Sequence, residues 1–556
     1  MSDLSKLIAF LESELIEFAS NTVNEDVLNK YNQCCYDQSY QSSLAIIPND
    51  KSEVIKVVKF LDSLAVTSST IKLYTISTGN NWGYGSATPS SENAVLMSLH
   101  KLNSEPTWLS NTHDKEQPYG KTLGIVKIEP GVSQIQLYNF LKREGGEFWM
   151  DATGSSIESS VLGNTLERGF GHTAYGDHFD HCAGLEVVLA DGTFVKTGHA
   201  GHTNAANAGV HKHGHGPVVE GVMSQSNIAI VTAMYIHVMP AKKLMKKFFI
   251  KLSSNEGFYQ AVEALRPLKM SGLLNSQMHC ANAHKGIQAM VRYPFKEADN
   301  SVPLPSSLYN RLIKKHDISP WTISGAIYAD SSAELSYKVS SVKKALKSVQ
   351  HKAIMLSPNL AKTALKFSSS NFVQKRPNSK IASLSKPLEV LNELIGLKQG
   401  KPTNYFINSA YYRMREFVST GNPDADNVGL IWLAPIGPLT RETLALMIET
   451  ASTVSLKYKF DPALSITLLN EKAADCVISI IFDRTIKEED DAALKCYDEM
   501  LSKFNALGFS GYRSAIRAMQ TNSLGFSPEL VQLHRKLKLG FDPKDLFGSG
   551  HYISSL

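Results

Sequence analysis

Residues 151–197 decide the fold, and they read DATGSSIESSVLGNTLERGFGHTAYGDHFDHCAGLEVVLADGTFVKT. Small residues crowd this stretch, and glycines at positions 163, 169, 171 and 176 let the backbone turn sharply and approach another group closely. The end of the stretch, GLEVVL followed by Ala-Asp-Gly, is typical of a strand that enters a tight turn. A glycine-rich chain can also simply cross a protein core, but this pattern favours a segment that wraps around a bound group.

A second glycine-rich loop, residues 77–85, reads STGNNWGYG and lies between predicted strands at 71–77 and 94–99. Its glycines let successive backbone N–H groups point into one concavity, which suits a pyrophosphate. A surface turn between two strands is the alternative for this loop taken alone. The chain contains no GxGxxG motif, so the sequence disfavours a Rossmann dinucleotide site.

The composition excludes several classes of protein. The 556 residues are 43% apolar, and the net charge of +5 gives no electrostatic reason to expect a nucleic-acid partner. No apolar run approaches the ~20 residues of a membrane helix. The first residues lack the basic start of a secretory signal, and the six cysteines show no CxxC spacing. We therefore expect a cytoplasmic protein with reduced, mostly buried thiols and no membrane partner.

Helix and strand patterns intermix up to about residue 240, which predicts an α+β domain. Beyond it, lysines become denser and long amphipathic helices, such as 441–457, alternate with strands, such as 477–482. The last fifty or so residues return to the character of the first part. The predicted segments are 1–242 for the main part of the first domain, 243–502 for a second domain, and 503–556 for the return.

The order of the motifs resembles the vanillyl-alcohol oxidase and p-cresol methylhydroxylase (PCMH) family of flavoproteins. The motifs are GNxxERGxGxTxYGDH at 163–178, GxEVVLADG at 184–192 and SQSNxAIVT at 224–232, with GYGSATP at 83–89 and a late YRS at 512–514. The resemblance covers nearly the whole chain. It implies an α+β fold in which a PCMH-type FAD-binding domain, formed by two chain-separated parts, carries an α+β cap domain over the flavin ring. It also implies oxidoreductase activity.

The resemblance implies that three segments bind FAD. A His or Tyr of the cap is bound covalently to the flavin in many members, but here Leu430 lies at or beside that position, and leucine cannot form the bond. We therefore expect non-covalent FAD. The implied cofactor residues are Ser77, Thr78, Gly79, Asn80, Asn81, Trp82 and Gly83; Ser160, Gly163, Asn164, Arg168, Gly169, Gly171 and Thr173; and Gly221, Ser226, Asn227, Ile228 and Val231.

Tyr84, Tyr512 and Arg513 match the two tyrosines and the arginine that bind a phenolate in the phenol-oxidising members. Two hydroxyl donors and a permanent cation would stabilise the anion of a phenol, whose ordinary pKa is ~10. The phenolate then pushes electrons through the ring, so that a hydride leaves the benzylic carbon for flavin N5 and a p-quinone methide forms. The implied substrate is a para-substituted phenol or related aryl compound, with dioxygen or another acceptor taking the electrons.

The sequence departs from the family around the reacting centre. A second carboxylate expected shortly after Asp151 is absent, so the catalytic base is unassigned, and Asp475 in the cap is a tentative substitute. His172 stands where some relatives carry a tyrosine, as a base or as a hydrogen-bonded spacer. The histidine-rich segment 199–215 has a spacing that suits zinc, but we interpret it as a solvated loop and expect no metal.

Two rival functions stay open at this point. A flavin dehydrogenase or oxidase of a non-phenolic alcohol or hydroxy acid would keep the FAD segments but give the tyrosines and Arg513 no phenolate to bind. A flavin-binding partner protein without turnover is the more remote alternative. By analogy with relatives, a homodimer is the expected assembly.

Overall fold

The computed structural model describes residues 2–36, 40–65, 70–110, 118–370, 385–416, 419–548 and 550–554. It confirms an α+β architecture in which strands and helices alternate along the chain. The strands are β1 Glu17–Ser20, β2 Leu44–Ile47, β3 Lys72–Ile76, β4 Ala94–Ser98, β5 Thr107–Trp108, β6 Ile125–Ile128, β7 Phe148–Trp149, β8 Cys182–Val188, β9 Phe194–Lys196, β10 Ile230–His237, β11 Met239–Pro240, β12 Leu244–Leu252, β13 Met278–Asn282, β14 Trp321–Ala329, β15 His351–Leu356, β16 Val428–Leu433, β17 Ile436–Pro438, β18 Leu464–Leu468 and β19 Ala473–Asp483.

The α-helices of the described residues fall on both sides of residue 240. Those of the first part are α1 Asp3–Ser13, α2 Glu25–Tyr31, α3 Lys51–Ala65, α4 Tyr119–Leu123, α5 Gln134–Arg143, α6 Val161–Leu166 and α7 Glu220–Met223. Those that follow are α8 Asn255–Met270, α9 Ala283–Met290, α10 Ser306–Lys315, α11 Ser332–Ala345, α12 Pro358–Ser368, α13 Ser385–Leu397, α14 Arg441–Lys457, α15 Lys487–Ala506, α16 Ile516–Gln520 and α17 Pro528–Phe541.

Two sheets form the N-terminal unit. One has four strands in the order β1-β2-β4-β3, and its inner strand β4 is buried along its whole length, as its apolar sequence AVLMS requires. The other has the order β5-β6-β10-β8-β9, with β10 antiparallel to both neighbours. β3 is thus an edge strand of the first sheet, and the loop that begins at Ser77 follows it directly.

A large antiparallel sheet follows in the chain. Its strands run in the order β15-β12-β14-β13-β18-β19-β16, with β17 paired to β19, and the paired strands are antiparallel. Helices α8, α14 and α15 cover one face through buried side chains such as Phe258, Met447 and Tyr497. The opposite face carries polar side chains at alternate positions of β13, β18 and β19, so it is available to line a cavity.

The C-terminal segment returns to the N-terminal unit and is held there by a buried ion pair. Lys538 on α17 is fully buried, and its Nζ donates to Asp542 Oδ2 at 2.6 Å and to the carbonyl oxygens of Asn227 and Phe547 at 2.7 Å each. Phe547 also bridges Leu73 of β3 in parallel orientation. The end of the chain is thus fastened to the segment around Asn227, which the sequence analysis assigned to the cofactor, and to the strand that precedes the loop at Ser77.

The sequence predicted most long helices to within two or three residues. The helix at 441–457 matches α14, and Ser133 caps α5 through a capping box with Gln136. Ser52, the N-cap that the sequence predicts for the helix at 52–64, does not cap α3: the Asp50 carboxylate accepts the first N–H groups, those of Ser52 and Glu53. Among the described residues, no helix combines the length and apolar character that a bilayer crossing requires.

Candidate active site

A cavity of about 640 Å³ lies between the N-terminal unit and the polar face of the large sheet. One wall comes from the loop after β3, from α6 and its flanking residues, and from the start of β10, and the other comes from β13, β18, β19 and β16. Residues predicted from sequence that line it are Ser77, Thr78, Gly79, Asn80, Asn81, Trp82, Tyr84, Ser160, Gly163, Asn164, Gly169, His172, Ser226, Asn227, Val231, Tyr512 and Arg513.

Six predicted cofactor residues do not line this cavity, namely Gly83, Arg168, Gly171, Thr173, Gly221 and Ile228. Ile228 is fully buried in the core, and Arg168 is exposed, with its Nε donating to Ser224 Oγ at 2.8 Å. A Cβ on Gly171 would lie 2.3 Å from the Asp151 carboxylate. Gly171 and Ile228 therefore support the wall rather than form it, a distinction that motif spacing does not make.

The loop after β3 turns as its glycines predict. Gly79 and Gly83 have φ of +75° and +76°, in the left-handed region that favours glycine. None of the described residues accepts a backbone hydrogen bond from the N–H groups of Thr78, Gly79 or Asn80. The loop thus offers several backbone donors at the cavity wall.

These donors fit a cofactor that carries a diphosphate. A side chain on Gly163 would meet Ser77 Oγ at 2.4 Å, so only glycine lets the start of α6 come this close to the loop. Asn80, Asn81 and Asn164 add amide side chains to the same wall. Backbone and side-chain donors gathered around one concavity are the arrangement that holds phosphate groups.

Tyr84, Tyr512 and Arg513 meet at one site on the cavity wall, next to Asn81 of the loop after β3. The hydroxyl oxygens of Tyr84 and Tyr512 are 3.2 Å apart, and the Arg513 guanidinium lies 4.4 Å from the centroid of the Tyr84 ring. Burial raises the pKa of both tyrosines, Tyr84 well above its ordinary value. Both hydroxyls therefore stay protonated at neutral pH, and one of them donates to the other.

Arg513 is positioned by partners that sequence reasoning missed. Its Nε donates to Glu167 Oε2 at 3.1 Å and its Nη2 to Asn81 Oδ1 at 2.6 Å. The Tyr552 hydroxyl donates to the same Glu167 oxygen at 3.0 Å. Glu167 lies within the ERG of the quoted motif, but Arg513 follows it by 346 positions, so spacing alone could not pair them.

Asp475 is a second acidic side chain of the cavity, besides Glu167. Its side chain lies on β19 with 2% exposure, and Oδ1 accepts the Thr467 N–H at 2.8 Å. Burial raises the pKa of Asp475 to about 7. After burial, the charge of Asp475 is a further cause of the raised pKa of both Tyr84 and Tyr512.

His172 lines the cavity next to a second histidine. Its ring lies 4.1 Å from that of His279, and the Thr467 hydroxyl is 3.3 Å from His279 Nδ1. Burial lowers the pKa of His172 and of His279 well below the ordinary range of histidine. Both rings are therefore neutral, and His172 is a weaker proton acceptor than Asp475.

Two further predicted features can be located. Leu430 lines the cavity from β16, where its N–H donates to Cys35 O at 3.0 Å. In the histidine-rich loop, the rings of His199 and His202 are 6.2 Å apart. Within the described ranges, no three His, Cys, Asp or Glu side chains come close enough together to hold a metal ion.

Comparisons with known proteins agree with this geometry. Residues 42–198 match a family model described as an FAD binding domain. The chain is 30% identical over 485 residues to 1'-carboxy-chondrochloren decarboxylase of Chondromyces crocatus, covering 87% of this chain and 86% of the relative. It is 25% identical over 543 residues to the flavoprotein subunit of 4-cresol dehydrogenase (hydroxylating) of Pseudomonas putida, covering 95% and 91%. A structure of p-cresol methylhydroxylase with substrate bound superposes with a TM-score of 0.83 at 23% identity, over 99% of this chain and 96% of that one.

Fold and cavity together define an FAD-dependent oxidoreductase. The chain belongs to the vanillyl-alcohol oxidase and p-cresol methylhydroxylase family of flavoproteins, which confirms the resemblance drawn from its motifs. The PCMH-type fold expected from sequence is confirmed as well. It follows that FAD is the cofactor and that the protein is an enzyme.

We expect Asp475→Asn to stabilise the protein only at high pH. The folded pKa of about 7 exceeds the ordinary 3.8, so the contribution of Asp475 to stability is full below pH ~4 and is lost as the pH rises through about 7. Asparagine keeps the acceptor for the Thr467 N–H without a charge. Melting temperatures of the two proteins should agree near pH 4 and should differ by several degrees at pH 8.5, the variant being higher. Asp26→Asn, at an exposed position, is the control, and an equal gap at both pH values would contradict the assignment.

Proposed function

We propose that this enzyme oxidises a para-substituted phenol or a related aryl compound at its benzylic carbon. The observation that carries the proposal is the hydroxyl pair of Tyr84 and Tyr512, 3.2 Å apart, with the Arg513 guanidinium against the Tyr84 ring. Two neutral donors and a permanent cation favour an anionic oxygen over a neutral one. A phenol bound there would ionise below its ordinary pKa of ~10.

The chain's own residues supply the proton chemistry and the charge stabilisation. When bound, FAD accepts a hydride from the substrate. Asp475, with a pKa near neutrality, takes the phenolic proton, and Arg513 with the two tyrosines holds the resulting anion. The phenolate feeds electrons through the ring, so the substrate becomes a p-quinone methide as its benzylic carbon loses a hydride. His172, neutral and stacked on His279, accepts a hydrogen bond from the water that adds to that carbon.

The similarity to known proteins supports the phenolic substrate. The Pseudomonas putida relative is named for 4-cresol, and the superposed structure is a p-cresol methylhydroxylase with substrate bound. A non-phenolic alcohol would leave the two tyrosine hydroxyls and the guanidinium without an anion to bind, and a hydroxy acid would offer them a carboxylate in place of the phenolate that the named relatives suggest. The phenol is therefore the better match to this end of the cavity.

A second candidate is oxidative decarboxylation of a carboxylated phenol, favoured by the relative from Chondromyces crocatus that is named a decarboxylase. A substrate with a carboxylate on the carbon next to the benzylic one would lose the hydride first. The electron pair of the C–CO₂⁻ bond would then form an alkene and return the ring oxygen to phenolate as CO₂ leaves. This reaction would release one CO₂ for every two electrons transferred, which distinguishes it from benzylic oxidation without decarboxylation.

We expect Tyr512→Phe and Arg513→Ala to lower kcat/KM for 4-ethylphenol and 4-hydroxybenzyl alcohol by about 10²-fold each, because each removes a donor to a developing oxyanion. Steady-state rates of FAD-loaded protein check this. Tyr337→Phe, at a residue that is 67% exposed, is the matched control and should leave kcat/KM unchanged. Wild-type rates in both cavity variants would overturn the phenolate assignment.

We further propose that FAD is held without a covalent bond. The side chains that β16 presents to the cavity are those of Leu430 and Trp432, and the loop after β3 presents Asn80 and Asn81. None of these four side chains forms the usual link to the flavin.

Acid precipitation of the holoenzyme should therefore give a colourless pellet and a yellow supernatant. The absorbance of the supernatant near 450 nm, compared with that of the protein before precipitation, measures the released fraction, and release of nearly all of the flavin is expected. A yellow pellet that keeps its colour after washing would contradict non-covalent binding.

The remaining features of the proposal concern the organisation and setting of the enzyme. We take residues 243–502 as a cap over the flavin ring, with 1–242 and 503–556 as the FAD-binding parts, since the strands of the large sheet lie between Leu244 and Asp483. The six free, buried cysteines suit a reducing compartment such as the cytoplasm. Dioxygen or another electron acceptor, and a homodimeric assembly, are proposed from the family resemblance alone.

A further inference from the structure

Lys285 is a cationic side chain on the cavity wall that the proposed mechanism does not use. It lies in the first turn of α9, which Asn282 caps by accepting the Lys285 N–H at 3.0 Å. Its Nζ reaches across to β19 and donates to Ser479 Oγ at 3.0 Å. Among the residues described for the cavity wall, it is the only lysine.

The ammonium of Lys285 has no acidic partner in the described part of the chain, where no carboxylate oxygen lies within 4.0 Å of it. Burial lowers the pKa of Lys285 to about 8, and no negative charge opposes that shift. Lys398 and Lys269 differ, because they donate to the backbone carbonyls of Gln277 and Ser276, away from the cavity. Lys247 is also buried, and it donates to Ser324 Oγ at 2.6 Å, but its own side chain does not line the cavity. Lys285 is thus placed where a ligand can reach it.

A second donor accompanies Lys285. Ser479 is the register partner of Trp432 across β19 and β16. Trp432 lines the cavity, and its Nε1 is buried and has no hydrogen-bond partner among the described residues. Its ring packs edge-on against Tyr84, with centroids 5.4 Å apart. Trp432 therefore lies between Ser479 and Tyr84.

Strand β19 sets the distance between Asp475, near the proposed phenol site, and Ser479, which accepts from Lys285. Asp475, Val477 and Ser479 occupy alternate positions, so they share one face, and all three line the cavity. Four residues of strand span about 13 Å. A polar group, an apolar side chain and a second polar group in this order match a substrate with an oxygen at one end, an aromatic ring in the middle and a polar group at the other end.

We propose that Lys285, Ser479 and Trp432 form a carboxylate-binding subsite, and that the substrates are aryl compounds with a short carboxylate-bearing side chain opposite the phenol. A carboxylate supplies the negative charge that the buried ammonium lacks, and its two oxygens accept from several donors at once. The ring lies over Val477, and the phenolic oxygen reaches Tyr84 and Tyr512. The subsite adds a substrate feature to the proposed function. It rests on that function only for the position of the phenol.

The test measures dissociation constants of the FAD-loaded enzyme by isothermal titration calorimetry for three probes. These are 4-ethylphenol, 3-(4-hydroxyphenyl)propanoate and 3-phenylpropanoate. The wild type should bind the hydroxylated acid at least tenfold more tightly than 4-ethylphenol. Lys285→Met should weaken binding of both acids tenfold or more and change that of 4-ethylphenol by less than twofold, and Lys285→Arg should retain part of the preference. Lys352→Met, at an exposed position of β15, is the matched control.

The outcomes separate the subsite from the phenolic function. If 4-ethylphenol binds but Lys285→Met leaves the affinity for both acids unchanged, the subsite is wrong and the phenol proposal stands. If 3-phenylpropanoate binds in a Lys285-dependent way while 4-ethylphenol does not bind, the subsite stands and the phenol proposal fails. Loss of FAD from Lys285→Met, or equal weakening of all three probes, would assign the lysine to the cofactor and overturn the subsite. If the lysine variants do not fold, Ser479→Ala tests the subsite instead. It is expected to weaken binding of both acids two- to fivefold, and unchanged affinity for the acids would overturn the subsite.

Discussion

Arg513 is held by an ion pair with Glu167 and a hydrogen bond to Asn81, so three segments that are far apart in sequence meet at one guanidinium. Asn81 comes from the loop after β3, Glu167 from the end of α6, and Arg513 from the returning C-terminal segment. The return is itself fastened by the buried Lys538, which donates to the carbonyl oxygen of Asn227. If the C-terminal segment did not fold back, the cavity would lose both Tyr512 and Arg513. The interaction therefore couples the cofactor-binding loop to the substrate-binding end of the same cavity.

The distribution of charge along the cavity follows from burial. Asp475 and the two tyrosines are desolvated, which keeps the tyrosines protonated and brings the pKa of the carboxyl to about 7. The partner carboxylate of Glu167 offsets part of the Arg513 charge, and burial of that pair makes the remaining field strong at short range. The proposed phenol-binding site thus combines a fixed cation with a titratable acid. That combination can take a proton from a phenol and hold the anion that results.

The sequence predicted the cavity wall well where the backbone itself is the recognition element. The glycines of the loop after β3 adopt the turns expected of them, and Gly163 permits the close approach of α6 to Ser77. Tyr84 and Tyr512 meet although 428 positions separate them, a pairing that only the family resemblance could supply. Motif spacing could not tell residues on the wall from those behind it, such as Ile228, because a packed core and a cofactor site both select small or apolar residues there. It also missed Glu167 and Lys285, whose roles depend on partners brought together by tertiary structure.

The central claim is that the cavity binds the substrate as a phenolate. An anaerobic titration of the FAD-loaded enzyme with 4-ethylphenol and with its methyl ether, 4-ethylanisole, tests it most directly, since the two differ only in whether the oxygen can ionise. The account predicts that the phenol bleaches the flavin absorbance near 450 nm and that the ether does not. A flavin that both compounds reduce at similar rates, or that responds to dithionite but to no phenol, would contradict it.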